Sequence, residues 1–290
     1  MRSFIVGTDW GEDCDDAVAL RLLTRAALRK EIALLAVGIN TRTQYSAPSL
    51  YAFLEKEGCH LPIGVDKSCP KTDWLNRYQP RLAACTQKTD GDFEDAVRVY
   101  RRALAQAPGR VEIIEIGFLQ VLSGLLESEG DDISPLNGQE LVQAKVDKVW
   151  IMGGKWSEDG GTEFNFSYTP FARVAAHKVC ELCPCPITFL GFEVGVSVRT
   201  GDTLSKTDYL YQALVDWGCE ARPSWDPMLC LLALIGDEEK AGYRAVRGRA
   251  RVDQETGRNY FTPDTYGSHA FVVKRFEDEY YKNEINARIE

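Results

Sequence analysis

No apolar run in this chain approaches the roughly 20 residues a membrane-spanning helix needs, and its start, "MRSFIVGTDW", has no signal-peptide core. No membrane partner is expected, and the chain is expected in the cytoplasm. It also lacks a long basic block: Arg244 to Arg251 holds four arginines, whereas 43 acidic against 34 basic residues give a formal net charge of -9. Such a balance argues against nucleic acid, whose phosphates demand a basic surface. Neither G-x-G-x-x-G nor G-x-x-x-x-G-K-[ST] follows a candidate strand, so a glycine loop cradling nucleotide phosphates has no support.

Cysteine is not scarce, but its nine copies are scattered and odd in number, which suits reduced thiols better than a disulfide framework. One cluster, "CELCPCP", holds Cys180, Cys183 and Cys185, with His177 as the only extra ligand nearby. A Cys-x-x-Cys zinc site needs a second pair or suitably spaced histidines. Pro184 and Pro186 mark the cluster as a helix-to-strand junction, and thiols at a turn are the favoured reading.

Of the 290 residues, 44% are hydrophobic and 27% charged, ordinary for a globular chain with a large core. Short apolar runs alternate with stretches of helical period, which predicts βα units and a mainly parallel sheet. The candidate strands are "SFIVG", "IALLAVGI", "LPIGV", "VEIIEIG", "KVWIMGG" and "PITFLGF". Helices are expected to begin near Asp16, Ala47, Phe93, Phe118, Thr169, Thr207 and Ser224. No linker or repeat divides the chain, so one domain is expected over residues 1–290. Asp9, Asn40, Gly117, Gly153, Gly154 and Glu193 follow strand ends, where open parallel sheets bind ligands.

The densest feature is "TDWGEDCDDA": Asp9, Glu12, Asp13, Asp15 and Asp16 put five acids into eight residues. Like charges this close raise one another's pKa unless solvent, protons or a cation lies among them. Helix capping would explain one or two, at about 0.3–1 kcal/mol each. An EF-hand is excluded, because counting twelve from Asp9 or Asp13 reaches Leu20 or Thr24 rather than Glu. A hard-cation site open to substrate remains, and calcium's six to eight oxygens would require ligands from elsewhere in the chain. Asp226 in "PSWDPMLCLLAL" is one candidate; before Pro227 it also reads as a helix N-cap.

These residues resemble a known family. "TDWGEDCDDAVAL" is similar to the N-terminal aspartate signature of the inosine-uridine-preferring nucleoside hydrolases, in a form with two extra residues before the final Asp-Asp. "VGIN", "IEIGFLQVLSGLL", "VWIMGG", "TEFNFSYTPFARVAA" and "SWDPMLCLLAL" resemble further family segments in order, from Phe4 to about residue 280. The resemblance implies a single α/β domain: a mostly parallel, mixed sheet flanked by helices, a Rossmann-like nucleoside hydrolase fold. It implies hydrolysis of the N-glycosidic bond of a ribonucleoside, purine or pyrimidine, with one calcium ion. Asp9, Asp16 and Asp226 would bind calcium by their carboxylates and Gln120 by its backbone carbonyl, with Asp9 also taking a proton from the calcium-bound water. Asp15 and Asn40 would hold the ribose 2′- and 3′-hydroxyls, and Glu163 and Asn165 the 5′-hydroxyl side. Met152, ending the fifth strand, and Trp225 complete the substrate-binding set. A homo-oligomer, dimer or tetramer, is expected.

Three departures stand out. Gly7 occupies the place of the signature's leading Asp, so a supporting contact is expected to be lost. Gln120 replaces a Thr. Trp225 replaces the histidine before the late aspartate, often the acid for a purine leaving group, and indole has no proton to give at neutral pH. Trp225 is then a candidate for stacking on a base or for a core position. Among the histidines, His60 and His177 are expected near the surface, and His269 is a minor candidate for the missing acid. Glu193 and Tyr266 are further polar candidates. Two other readings stay open: a non-catalytic nucleoside or ribose binder on the same fold, and a magnesium-dependent phosphohydrolase, whose Asp-x-Asp-x-Thr order is absent.

Overall fold

The computed structural model describes residues 1–69, 71, 76–157 and 159–290. Its strands are β1 (Arg2–Thr8), β2 (Ile32–Ile39), β3 (Ile63–Val65), β4 (Glu94–Asp95), β5 (Val111–Glu115), β6 (Val146–Met152), β7 (Ile187–Leu190), β8 (Arg199–Thr200), β9 (Arg222–Pro223), β10 (Tyr243–Val252), β11 (Asn259–Pro263) and β12 (His269–Lys274). The helices are α1 (Asp15–Leu28), α2 (Ser46–Glu57), α3 (Gln79–Ala83), α4 (Ala96–Gln106), α5 (Gln120–Glu127), α6 (Gly138–Lys145), α7 (Phe164–Ser167), α8 (Pro170–Leu182), α9 (Phe192–Gly195), α10 (Tyr209–Trp217), α11 (Trp225–Ile235) and α12 (Asp278–Ile289).

Ten strands form one sheet in the order β11-β10-β12-β7-β6-β5-β1-β2-β3-β4, and β8 pairs with β9 apart from it. From β4 to β12 every pairing is parallel; only β12–β10 and β10–β11 are antiparallel. β1 and its neighbours are apolar on both faces because helices cover both, as a parallel sheet requires. One buried cluster joins α1, α2, α10, α11 and α12 to the sheet, and a second joins α4, α5, α6 and α8. The expected mixed, mostly parallel α/β architecture is what the chain adopts.

β10 and its hairpin were not among the expected strands. Arg244, Arg247, Arg249 and Arg251 lie exposed along β10 while Gly248, Ala250 and Val252 between and after them are buried. This period-two pattern is the solvated face of a strand near the sheet edge.

The space beside Gly7 is filled from across the sheet. It pairs with Glu115 of β5, and a Cβ at Gly7 would lie 1.8 Å from Glu115 Oε2. The buried Glu115 carboxyl therefore takes the space beside Gly7, and Tyr100 donates to its Oε1 at 3.3 Å. Glu115 Oε2 itself has no partner, so no contact from this carboxyl to the acidic loop replaces the one expected to be lost. Burial raises the Glu115 pKa to about 8.

α1 is held by Arg21, 1% exposed, which donates to Glu57 of α2 and to Asp208 at 2.9 Å. Removing one member of a buried pair strands the other's charge. We expect Arg21→Ala to lose about 3–5 kcal/mol in urea unfolding; a midpoint unchanged from wild type would show that this pair does not fix α1.

Candidate active site

The acidic loop between β1 and α1 is anchored at several points. Trp10, fully buried, donates to Ser49 Oγ at 2.7 Å and packs on Phe53 and Tyr78. Gln79 donates to the Trp10 carbonyl at 2.8 Å, and Tyr78 to the Asp13 carbonyl at 3.0 Å. Gly11 has a φ of +103°, in the region that favours glycine, and its missing side chain leaves room for Gln79. Gly117, just past β5, lets the loop backbone come close: a Cβ there would lie 2.3 Å from the Asp9 nitrogen.

Asp9 is thus fixed at the carboxyl end of β1, and Asp15 and Asp16 occupy the first turn of α1. Asp226 comes from the first turn of α11, which packs against α1. One carboxylate oxygen from each of Asp15, Asp16 and Asp226 lies within 4.8 Å of the others. The N-cap expected at Asp226 is corrected: Ser224 precedes the helix, and the Asp226 backbone N–H donates to Asp15 Oδ2 at 3.1 Å. Its carboxylate faces the other acids, and two helix N-termini point their positive ends at the cluster.

The charges of this cluster are mostly uncompensated. Thr8 Oγ1 donates to Asp16 Oδ1, but Asp16 Oδ2 is buried without a partner. Among the described residues no lysine or arginine forms an ion pair with Asp9, Asp15, Asp16 or Asp226. Burial, followed by repulsion from neighbouring carboxylates, holds all four well above the usual carboxylate range. An orphaned buried oxygen within a cage of three carboxylates fits a hard divalent cation, which would reverse the sign of these shifts.

A cavity of about 280 Å³ opens over the cluster. Asp9, Asp15, Asp226, Glu163, Asn165, Met152 and Trp225 all line it, so most of the expected substrate set converges. Glu163 accepts from Gly154, Asn165 and Phe166 backbone N–H groups; burial pushes its pKa up to about 7. Asn165 Nδ2 donates to the Met152 carbonyl at 3.2 Å. Asn40 lies buried behind the lining: its Oδ1 accepts from Phe118 N–H at 3.1 Å and its Nδ2 has no partner. Gln120 opens α5 outside the lining residues, with Nε2 toward Cys69.

Trp225 resolves toward the cavity wall, not the core. Its ring stacks on Phe192 at 5.5 Å, and its N–H donates to the Phe192 carbonyl at 2.9 Å. His269 is corrected: it sits on β12, accepts from Ala250 N–H through Nδ1 and is absent from the cavity lining. Tyr266 is 95% exposed and likewise absent from it. Glu193 Oε1 accepts from Trp156 N–H at 3.0 Å. His177 bonds the Val252 carbonyl, and Cys183 and Cys185 approach to 3.3 Å. Phe164, Phe192, Trp217 and Arg222 also line the cavity. Of these, Phe164, between Glu163 and Asn165, Phe192, directly before Glu193, and Arg222, three residues before Trp225, had a signal in the sequence only by adjacency, and Trp217 had none.

Comparison with solved structures decides the fold. The inosine-uridine preferring nucleoside hydrolase from Bacillus anthracis superposes with a TM-score of 0.72 at 17% identity, covering 100% of this chain and 99% of that one. The chain has the fold of the nucleoside hydrolases. An inosine-guanosine nucleoside hydrolase matches with a TM-score of 0.68 at 14% identity, over 100% of this chain and 99% of that one. The type III effector protein XopQ, complexed with adenosine diphosphate ribose, matches with a TM-score of 0.68 at 15% identity, over 99% and 93%. No family model and no curated sequence matches the chain. In this nucleoside hydrolase fold the acidic cluster occupies the carboxyl ends of the central strands, the rim where open α/β sheets bind ligands. Among the described residues no helix is long and apolar enough to cross a membrane.

Carboxyls held above their ordinary range stabilise the fold only while protonated. That contribution is complete below the unfolded value, about pH 4, and is lost as pH rises through the raised values. With a chelator present, Tm should therefore fall from pH 5 to pH 8. A divalent cation at 100 times its Kd should restore about 2.7 kcal/mol at pH 8 and nothing at pH 4, and Asp226→Asn should flatten both trends. A Tm indifferent to pH and divalent cation alike would contradict the charge account.

Proposed function

We propose that the chain hydrolyses the N-glycosidic bond of a ribonucleoside, with calcium as its cation, releasing ribose and free base. The observation that carries this reading is the buried trio of Asp15, Asp16 and Asp226, with no ion-pair partner among the described lysines and arginines, of which Asp15 and Asp226 line a cavity that aromatic rings also line. The fold shared with nucleoside hydrolases supports it.

Asp9, Asp16 and Asp226 would hold the ion by their carboxylates, Asp15 stands within reach of it, and the Gln120 carbonyl is the proposed main-chain ligand. When bound, calcium supplies a water of lowered pKa and an anchor for ribose hydroxyls. Asp9, ionised once the surrounding negative charge is offset, takes the proton of the attacking water. Asp15 and Asn40 orient the 2′- and 3′-hydroxyls, the unpartnered Asn40 Nδ2 serving as a donor. Glu163 and Asn165 hold the 5′-hydroxyl beside Met152, and Trp225 stacks on the base. The positive charge that grows on the sugar ring at the transition state lies among carboxylates in a water-poor pocket.

A second reading, a binder of nucleosides or ribose without turnover, is favoured by one observation: Trp225 stands where a protonating histidine would be.

With calcium present, a panel of ribonucleosides should release ribose, and a chelator should stop it. Asp9→Asn should reduce kcat by about 10²–10⁴ with the protein still folded. A 2′-deoxynucleoside should be slower by about 10⁴, since it leaves buried polar groups unpaired. Ribose or nucleoside affinity by calorimetry with no turnover would establish the binder instead.

A further inference from the structure

If the leaving base gets no proton from residue 225, something else at that wall must take up its charge. Among the described residues lining the cavity, Arg222 is the only cation. Its guanidinium carbon stands 5.6 Å from the Trp225 ring and 5.8 Å from the Trp217 ring, at the same aromatic wall. Nε and Nη2 both donate to one oxygen, Asp13 Oδ2, the former at 3.0 Å. Nη1 makes no hydrogen bond to a described residue. Asp13 is itself steadied, its Oδ1 accepting from Cys14 N–H at 2.5 Å. Arg222 is thus an arm braced from one side with a donor left over on the other. β9, which carries it, pairs with β8 and leads directly into α11 through Ser224, so the arm and Asp226 ride on one short segment.

We propose that Arg222 is the leaving-group residue of this site, acting by charge and not by proton transfer. The inference rests on the hydrolase reading above. The C1′–N bond breaks with its electron pair passing to the base, and water adds to C1′ as Asp9 takes its proton. The base leaves as an anion held against Arg222 Nη1, and after release it takes a proton from solvent while Asp9 returns one to solvent. A guanidinium stays charged at every working pH, so it cannot serve as the acid. It can offer directed positive charge in a site with little water, where such charge is worth most. The stacked pair of Trp225 and Phe192 holds the base plane toward that donor. Substrates are then selected by how well the departing base bears negative charge and by whether its edge offers acceptors.

The test compares Arg222→Gln and Arg222→Lys with wild type on inosine, uridine and p-nitrophenyl β-D-riboside in calcium. The nitrophenolate group leaves unaided, so its release reports folding, sugar binding and water attack without help at the leaving group. We expect Arg222→Gln to lower kcat/KM on the nucleosides by about 10²–10³ while nitrophenyl riboside hydrolysis falls by less than tenfold. Arg222→Lys should recover part of the loss by keeping the charge, and the alkaline limb of the wild-type pH profile should show no leaving-group acid. Equal losses on both substrate types would reassign Arg222 to holding the acidic loop through Asp13, and no loss on either would also overturn the proposal. Wild-type protein inert toward all three substrates would overturn the hydrolase reading and this inference with it.

Discussion

Four aspartates buried together, with no ion-pair partner among the described lysines and arginines, are the constraint from which the rest of the site follows. Each costs free energy to bury as an anion, and each makes its neighbours costlier. The protein nevertheless invests three anchors, Trp10, Tyr78 and Gln79, in holding the loop that carries them. It also aims two helix N-termini at them, from positions 211 residues apart in sequence. A chain that only needed caps for α1 and α11 would have no use for such precision or for the orphaned oxygen of Asp16. A divalent ion converts every one of these costs into a favourable interaction.

Much of this was legible before any coordinates. "IALLAVGI" coincides with β2, and the expected strands at "SFIVG", "VEIIEIG", "KVWIMGG" and "PITFLGF" overlap β1, β5, β6 and β7, because parallel strands buried on both faces read as unbroken apolar runs. The acidic signature located the site because a folded chain tolerates so much like charge in eight residues only with solvent, protons or a cation among the carboxylates. The antiparallel hairpin of β10–β12 was hidden because its alternating arginines read as charge and not as period. The proline after Asp226 suggests a cap there, whereas the helix starts at Trp225 after Ser224 and the Asp226 N–H bonds to Asp15, a tertiary contact that local sequence does not encode. Arg222 and Trp217 reach the cavity only through the packing of the short β8–β9 pair and the end of α10, which no local pattern announces.

The departures are rearrangements of chemistry more than losses of it. Gly7 gives up a side chain, and Glu115 fills the gap from the adjacent strand in register with it. With Glu115 in that place, a side chain at position 7 would not fit. At Trp225 the exchange is of kind: a group that could donate a proton gives way to one that offers a ring face, and the charge available at that wall belongs to Arg222. Carboxylates, aromatic rings and one guanidinium thus line the same cavity, the acids being the sugar side and the rings with Arg222 the base side of the proposed reading.

The most direct test of a cation held between the two ends of the chain is diffraction from crystals soaked in manganese, an oxygen-seeking ion that scatters anomalously. The account predicts a single anomalous peak bonded to carboxylate oxygens of Asp9, Asp16 and Asp226, with Asp15 within reach of it. No peak there, or a peak only at surface carboxylates, would contradict it.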